Sequence, residues 1–317
     1  MKQIEISRVD FPHAAEARGI TIVIDVIRAF TVAAYAFAGG ASRLWLVRTT
    51  DEAFALRGRE PEALLAGEIG GRLIPGFDLN NSPALMAKAP VVGRMLIQRT
   101  GAGTQGAVNA AHSPHMLLCS LVNAAATAHY ASALASQTGE PITLLPTGKP
   151  DEAFPMTEDD FCADYLEAII TGREDAPQLL ADRIARLRAG RFTQWEQGEV
   201  DLRATSRVRP YYDDGDELRA TSRVRPYYDH GDELRATSRV RPYYDHGDEL
   251  RATSRVRPYY DHDNESDFPF GDIEKVLDAN RFHFVMVGTR QEWQGITYVE
   301  VKRVNDTPQK RLSGMSF

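Results

Sequence analysis

The chain reads as an α/β protein, a three-layer α/β/α sandwich built on a mixed, largely parallel sheet. Three observations predict this class. Short apolar runs alternate with alanine-rich helical stretches from the start of the chain to Arg188. The run at 21–24 (TIVI) reads as a buried strand. Polar residues and glycine turns follow the runs directly, where open α/β sheets present their ligand sites. Asp25, Glu68, Asp78, Thr100, Ser120 and Asp159 all stand just after predicted strands. If those strands are parallel, their ends converge on one edge of the sheet.

Composition sets the limits. A length of 317 residues allows one large or two small domains, and 43% hydrophobic content supports a substantial core. The net charge of −7 argues against a nucleic-acid partner. No stretch approaches the ~20 apolar residues of a membrane span. The first residues, MKQIEISRVDF, alternate like a strand and carry no signal-peptide core. Cys119 and Cys162 sit in apolar surroundings and read as buried free thiols. The eight histidines show no metal-binding spacing. These features predict a cytoplasmic protein without nucleic-acid or membrane partners.

Taken in order, residues 4–9 open the chain as a strand. The strand at 21–24 ends at Asp25, and Arg28 and Thr31 follow before a helix closed by Gly39 and Gly40. A strand ending in Asp with Arg and Thr just beyond suits a phosphate or metal site. It equally suits a helix cap or an Asp25–Arg28 ion pair. Residues 44–47 form a strand, and the helix start in 50–56 has Thr50 or Asp51 as its cap. The strand at 95–97 opens into QRTGAGTQG, whose glycines and threonines let backbone N–H groups approach an anion. It is neither a P-loop nor a dinucleotide fingerprint. Residues 115–119 form a strand ending at Ser120, and Asn123 stands where it can cap the helix at 124–135. A strand at 142–145 leads to Thr157, an N-cap with Glu158, Asp159 and Asp160 in the first turn. Glu158 and Asp159 are also candidate catalytic acids. A helix at 273–279 and strands at 284–287 and 296–301 complete the core.

The richest stretch is 64–83, LLAGEIGGRLIPGFDLNNSP. Its Gly, Pro and Asn content favours a shaped loop. Glu68 and Asp78 on such a loop suit a hard cation such as Mg²⁺ with an anionic substrate. Solvated surface acids are the plainer explanation of the same two residues.

From Leu202 the chain repeats with a period of sixteen: LRATSRVRPYYDDGDE, then LRATSRVRPYYDHGDE from Leu218 and Leu234, then LRATSRVRPYYDH from Leu250. Each unit offers only Leu, Val and two Tyr as apolar anchors, little area against the entropy of ordering the segment. No familiar solenoid has this pattern. A tandem duplication in a surface connection explains it, and an arm for self-association through Tyr and Arg is the sharper alternative. Normal α/β patterning resumes afterwards. The predicted organisation is one domain from 1–198 together with 263–304, a repeat insert at 199–262, and a tail at 305–317.

The motifs DVIRAFT (25–31), AGEIGG and GFDLNNSP (66–83), GAGTQG (101–106), SLVNA (120–124) and EDDFCADYL (158–166) resemble, in order, those of the 2-phosphosulfolactate phosphatase family. DFPFGDIEKVLDANRFHFVM (267–286) is similar to the family's closing segment. The resemblance implies an α/β/α fold, Mg²⁺ dependence, and hydrolysis of 2-phospho-3-sulfolactate to 3-sulfolactate and phosphate, a step of coenzyme M biosynthesis. Where the family commonly has Thr-Thr-Asn-Gly-Thr, this chain has Gly101 for Thr and Ala102 for Asn, and Asp164 stands where the family tends to Gly. The expected assignments are Mg²⁺ on Glu68, Asp78 and Asp25. Asp25, Asp159 and Arg28 are the expected catalytic residues. Asn81, Ser82, Thr100, Gly101, Gly103, Thr104, Ser120 and Asn123 are expected to bind substrate phosphate. A non-catalytic scaffold assembling through the repeats is the alternative.

Overall fold

The computed structural model describes residues 4–149, 156–189, 269 and 271–305. The repeats, residues 150–155 and residues 306–317 lie outside the described residues, and so do the expectations made for them.

Eleven strands among the described residues form one sheet. They are β1 (Ile6–Arg8), β2 (Ile20–Ile24), β3 (Arg43–Leu46), β4 (Leu64–Ile69), β5 (Arg72–Leu73), β6 (Leu79–Asn80), β7 (Met95–Arg99), β8 (His115–Cys119), β9 (Ile142–Pro146), β10 (Val285–Trp293) and β11 (Ile296–Val304). Their order is β1-β9-β2-β8-β10-β11-β3-β7-β4-β5, with β6 beside β4. The helices are α1 (Ala29–Ala38), α2 (Thr50–Arg59), α3 (Pro83–Met86), α4 (Gly103–Asn109), α5 (Ala124–Thr138), α6 (Glu158–Ile170), α7 (Ala176–Ala189) and α8 (Gly271–Leu277).

Period-two alternation sends side chains to two buried faces. Ile20, Ile22 and Ile24 pack with Leu117, Ile142 and Leu144 against α5 and α6. Trp45, Val47, Leu65 and Ile97 pack the same face against Ala53 and Leu56 of α2. The opposite face carries α1 and α4: Val23 lies against Gly106, and the amide of Gln98 donates to the Ala29 carbonyl, 3.0 Å. The sheet is therefore a middle layer between two helical ones. Cys119 and Cys162 are buried free thiols in the first of these cores.

The sheet is mixed, and this changes where the strand ends go. β9, β2 and β8 are parallel, and so are β3, β7 and β4. Between the two triplets stands the β10–β11 hairpin, antiparallel to β8 on one side and to β3 on the other. Three antiparallel steps reverse direction, so the triplets run oppositely. The strand ends after β2 and β7 do not converge on one edge, as a fully parallel sheet would require. They meet across a face instead, because the first turn of α1, which follows β2, lies over Gln98 of β7.

Local chemistry explains the element boundaries. The cap of α2 is Thr49, not Thr50 or Asp51: Thr49 and Glu52 form a reciprocal capping box. Thr157 caps α6 as expected, and its partner is Asp160. The stretch after Glu68 turns back as a short hairpin, pairing Glu68 with Leu73. Gly67 adopts φ +155 and lies so close to β7 that a Cβ there would stand 2.0 Å from the Arg99 carbonyl oxygen, which only glycine allows.

Candidate active site

Four acids gather beyond the ends of β2 and β9 and beside the loop after β7. Asp25, Glu68, Glu158 and Asp159 are all buried, none more than 9% exposed. Each placement has a local cause. Asp25 follows β2, and its Oδ1 accepts the Ala29 N–H at 2.9 Å, holding the start of α1. A second backbone N–H comes from Gly103. That approach requires glycine: a Cβ at 103 would lie 2.5 Å from Asp25 Oδ2 and 2.9 Å from the Ala29 Cβ. Gly103→Ala is expected to displace the Asp25 carboxylate and lower turnover about 10²-fold, the scale of a 1 Å misplacement. Steady-state kinetics at a temperature where circular dichroism is unchanged measures it.

Glu68 ends the apolar part of β4. Its Oε1 accepts from Gly101 N–H and its Oε2 from Gly71 N–H, both at 2.7 Å. Asp159 Oδ1 accepts from Val26 N–H at 2.7 Å, and Oδ2 from the Thr147 hydroxyl at 3.3 Å. Half-buried Asp160 serves the Thr157 cap, while the other two first-turn acids, Glu158 and Asp159, are buried.

Burial pushes the Asp25 carboxyl up from 3.8 to about 7, opposed by the Ala29 and Gly103 hydrogen bonds and reinforced by the charges of Glu158 and Glu68. Burial, then the charges of Asp25 and Glu158, raises the Asp159 carboxyl well above the usual range. Crowding of acids in a buried place thus favours the neutral, protonated form of both carboxyls.

The remaining predicted residues divide between this group and its supports. The Gly101 and Gly103 N–H groups, expected to grip a phosphate, instead hold Glu68 and Asp25, because a nearby carboxylate is a strong charge-assisted acceptor. Thr100 and Thr104 bond each other reciprocally: Thr100 N–H donates to Thr104 Oγ1 at 2.9 Å, and the Thr104 hydroxyl donates to the Thr100 carbonyl at 3.0 Å. They lock the loop that aims those two N–H groups.

Arg28 is buried and pairs with Asp272 at 3.0 Å, while its other terminal nitrogen donates to the Gly71 carbonyl at 3.2 Å. Ser82 caps α3, accepting from Leu85 N–H, and donates to Asp272 at 2.6 Å. Asn81 accepts from Gln98. Asp78 is placed elsewhere. Its carboxylate takes Arg57 of α2 at 3.1 Å and the Leu65 N–H at 2.8 Å, an arrangement that ties α2 to β4. Asn123 spends its side chain in the turn after β8, accepting from Ser120 N–H and donating to the Leu118 carbonyl and Thr127 hydroxyl. Ser120 is fully buried at that turn.

Among the described residues no three His, Cys, Asp or Glu side chains are grouped closely enough to hold a metal ion by themselves. Asp25, Glu68 and Asp78 therefore do not form a three-acid set, because Asp78 is engaged by Arg57. Sequence reasoning missed Asp272 and Gln98. Both look ordinary in sequence, a first-turn acid in a helix and a polar residue late in a strand, and only their partners give them meaning.

The sequence profile of the 2-phosphosulpholactate phosphatase family matches residues 7–191. A relative from Bacillus subtilis (strain 168), named a probable 2-phosphosulfolactate phosphatase, is 42% identical over 162 residues, covering 50% of this chain and 68% of the relative. A relative of the same name from Deinococcus radiodurans is 45% identical over 131 residues, covering 41% of this chain and 55% of its own length. A third, from Thermus thermophilus, is 40% identical over 135 residues, covering 42% of this chain and 55% of the relative. The chain thus spans between 55% and 68% of the length of these relatives. The matched span includes β2 to β9 and all four clustered acids, and the chain belongs to the 2-phosphosulpholactate phosphatase family.

Proposed function

We propose that the chain is a phosphoric monoester hydrolase that uses Mg²⁺ to convert 2-phospho-3-sulfolactate to 3-sulfolactate and phosphate. Family membership and the relatives' names support the chemistry and the substrate. The observation that carries the reading is the buried acid group, with its Asp25 carboxyl raised to about 7.

The donor set fits Mg²⁺. Mg²⁺ is usually held by one or two carboxylates, waters and substrate phosphate oxygens, not by a full protein cage. Asp25 and Glu68 would hold it, with Glu158 close enough to add its charge. When bound, the ion supplies charge neutralisation at the phosphoryl oxygens and lowers the pKa of a coordinated water. The chain's own residues do the rest. Glu68 is fixed at both oxygens by Gly71 and Gly101, so it needs no reorganisation during the reaction. Arg28 lies within the same loop network and supplies the positive charge that grips the phosphoryl group. Asp25 would take the proton of the attacking water, and the leaving oxygen would take a proton from solvent water as the P–O bond breaks, departing as the alcohol. Asp159 stays on Val26 and Thr147 and holds the loop after β2 in place.

Gly101 is exposed and Ala102 half-buried, so the two positions that depart from the common loop are accessible beside Glu68, which the Gly101 N–H holds. This loop sets the choice among small phosphorylated acids. A phosphate-release screen over such acids, with and without Mg²⁺, tests the reading. Turnover of 2-phospho-3-sulfolactate only with the ion is the expected result, and no turnover of any phosphomonoester would overturn it.

The acid group also predicts a pH dependence. Folding raises the Asp25 pKa above its unfolded value, so the stability this group allows is full below pH ~4 and is lost as pH rises toward about 7. The metal-free protein is expected to melt several degrees lower at pH 8 than at pH 5.5, where ordinary carboxylates are already ionised. Mg²⁺ is expected to raise the melting temperature more at pH 8 than at pH 5.5. Calorimetric scans with EDTA and with Mg²⁺ check both.

Among the described residues no helix is long and apolar enough to cross a membrane.

A further inference from the structure

We infer that Asp272, from the segment that follows the repeats, is a positioning residue of the site and acts on substrate phosphate through Arg28. The inference rests on the phosphatase reading above. Asp272 lies outside the matched family span, in the first turn of α8, and is 1% exposed. Its two oxygens collect three donors from distant parts of the chain. Oδ1 accepts from the Ser82 hydroxyl at 2.6 Å and from Ala84 N–H at 3.0 Å; Oδ2 accepts from Arg28 at 3.0 Å.

Each of these bonds has a separate consequence. Ala84 lies in the first turn of α3, so Asp272 satisfies a helix N–H that has no partner within α3. Ser82 is the N-cap of that helix, and its proton is directed at Asp272 while its oxygen accepts Leu85 N–H. The pairing with Arg28 aims the guanidinium. Arg28 in turn donates to the Gly71 carbonyl, and the Gly71 N–H holds Glu68. A continuous line therefore runs from Asp272 through Arg28 and Gly71 to Glu68 and Gly101. The close packing of α8 on α3 has no slack: a Cβ on Gly271 would stand 3.3 Å from the Ala84 Cβ.

A buried guanidinium that loses a carboxylate partner keeps its charge and loses part of its aim, and Asp272 holds Arg28 at 3.0 Å. Asp272→Asn retains an acceptor for Ser82 and Ala84 but places a neutral amide against Arg28. The consequence is weaker and less directed binding of a phosphate anion. A role limited to folding would lower the melting temperature and leave the affinity of the folded protein for phosphate alone.

The test uses the full chain and four proteins: wild type, Asp272→Asn, Arg28→Lys, and the double variant. Inorganic phosphate is titrated calorimetrically with and without Mg²⁺, and KM and kcat are measured well below each melting temperature. Asp272→Asn is expected to weaken phosphate binding and raise KM by about 10- to 100-fold, with kcat changing less. In the Arg28→Lys background the same substitution is expected to add little, because it acts through the residue already altered. Asp278→Asn, at the exposed end of the same segment where Asp278 pairs with Arg281, is expected to change neither quantity. Unchanged phosphate affinity in Asp272→Asn, or losses that multiply in the double variant, would overturn the inference. A wild-type protein with no phosphatase activity would instead overturn the functional reading itself.

Discussion

Glu68→Gln is expected to lower kcat/KM for the phosphorylated substrate by about 10³-fold, the upper range for removing one preorganised electrostatic group. The substitution preserves shape and removes charge. Gly71 and Gly101 both donate to Glu68, so one of them would face the new amide, a donor, and lose its partner. The glutamine therefore fails twice: it offers less charge to a cation and sits less firmly. It also removes one of the charges that raise the Asp25 carboxyl, so the pH dependence of stability is expected to weaken in the same variant. Mg²⁺-dependent phosphate release and paired melting curves at pH 5.5 and 8 measure both effects. Activity within a few-fold of wild type would show that the Glu68 charge is not used in turnover.

Arg28→Met is expected to destabilise the fold by about 3–5 kcal/mol, the cost of leaving one member of a buried ion pair without its partner. Both side chains of the Arg28–Asp272 pair are nearly inaccessible, at 3% and 1%. Without the guanidinium, the donors left to the Asp272 charge among the described residues are Ser82 and Ala84. Adding Asp272→Asn is expected to recover part of the loss, because the uncompensated charge disappears and the amide oxygen still accepts from Ala84. Urea unfolding of the two single variants and the double variant gives the coupling. Additive losses would mean that Arg28 and Asp272 stabilise the fold independently of each other.

The sign of these effects follows from where charge is buried. The four clustered acids weaken the metal-free protein, and the Arg28–Asp272 pair is strong only while it is whole. Sites that concentrate like charge are commonly held by structure elsewhere. Here the holding is done by backbone N–H groups from Ala29, Val26, Gly71, Gly101 and Gly103.

Much of this was legible in the residues. Runs such as TIVI at 21–24 are uncharged and β-branched because β2 is buried along its whole length, so the layered α/β class follows from local pattern. The motif order 25–31, 66–83, 101–106 and 158–166 marks the family, and Asp25, Glu68 and Asp159 do come together. Asp25 sits in the turn after β2, Glu68 at the end of β4 and Asp159 in the capped first turn of α6, all places that local sequence marks. Three matters were decided only by tertiary structure. The reversal of the second strand triplet depends on a hairpin at 285–304 that enters the middle of the sheet from far along the chain. Asp78, beside Glu68 in the same loop, turns to Arg57 because α2 packs there. Asp272 reaches Arg28 across 244 positions of sequence. Hydrophobic period and turn composition act over a few residues and determine elements. Which carboxylate meets a cation, a guanidinium or another carboxylate depends on long-range packing, and no local pattern records it.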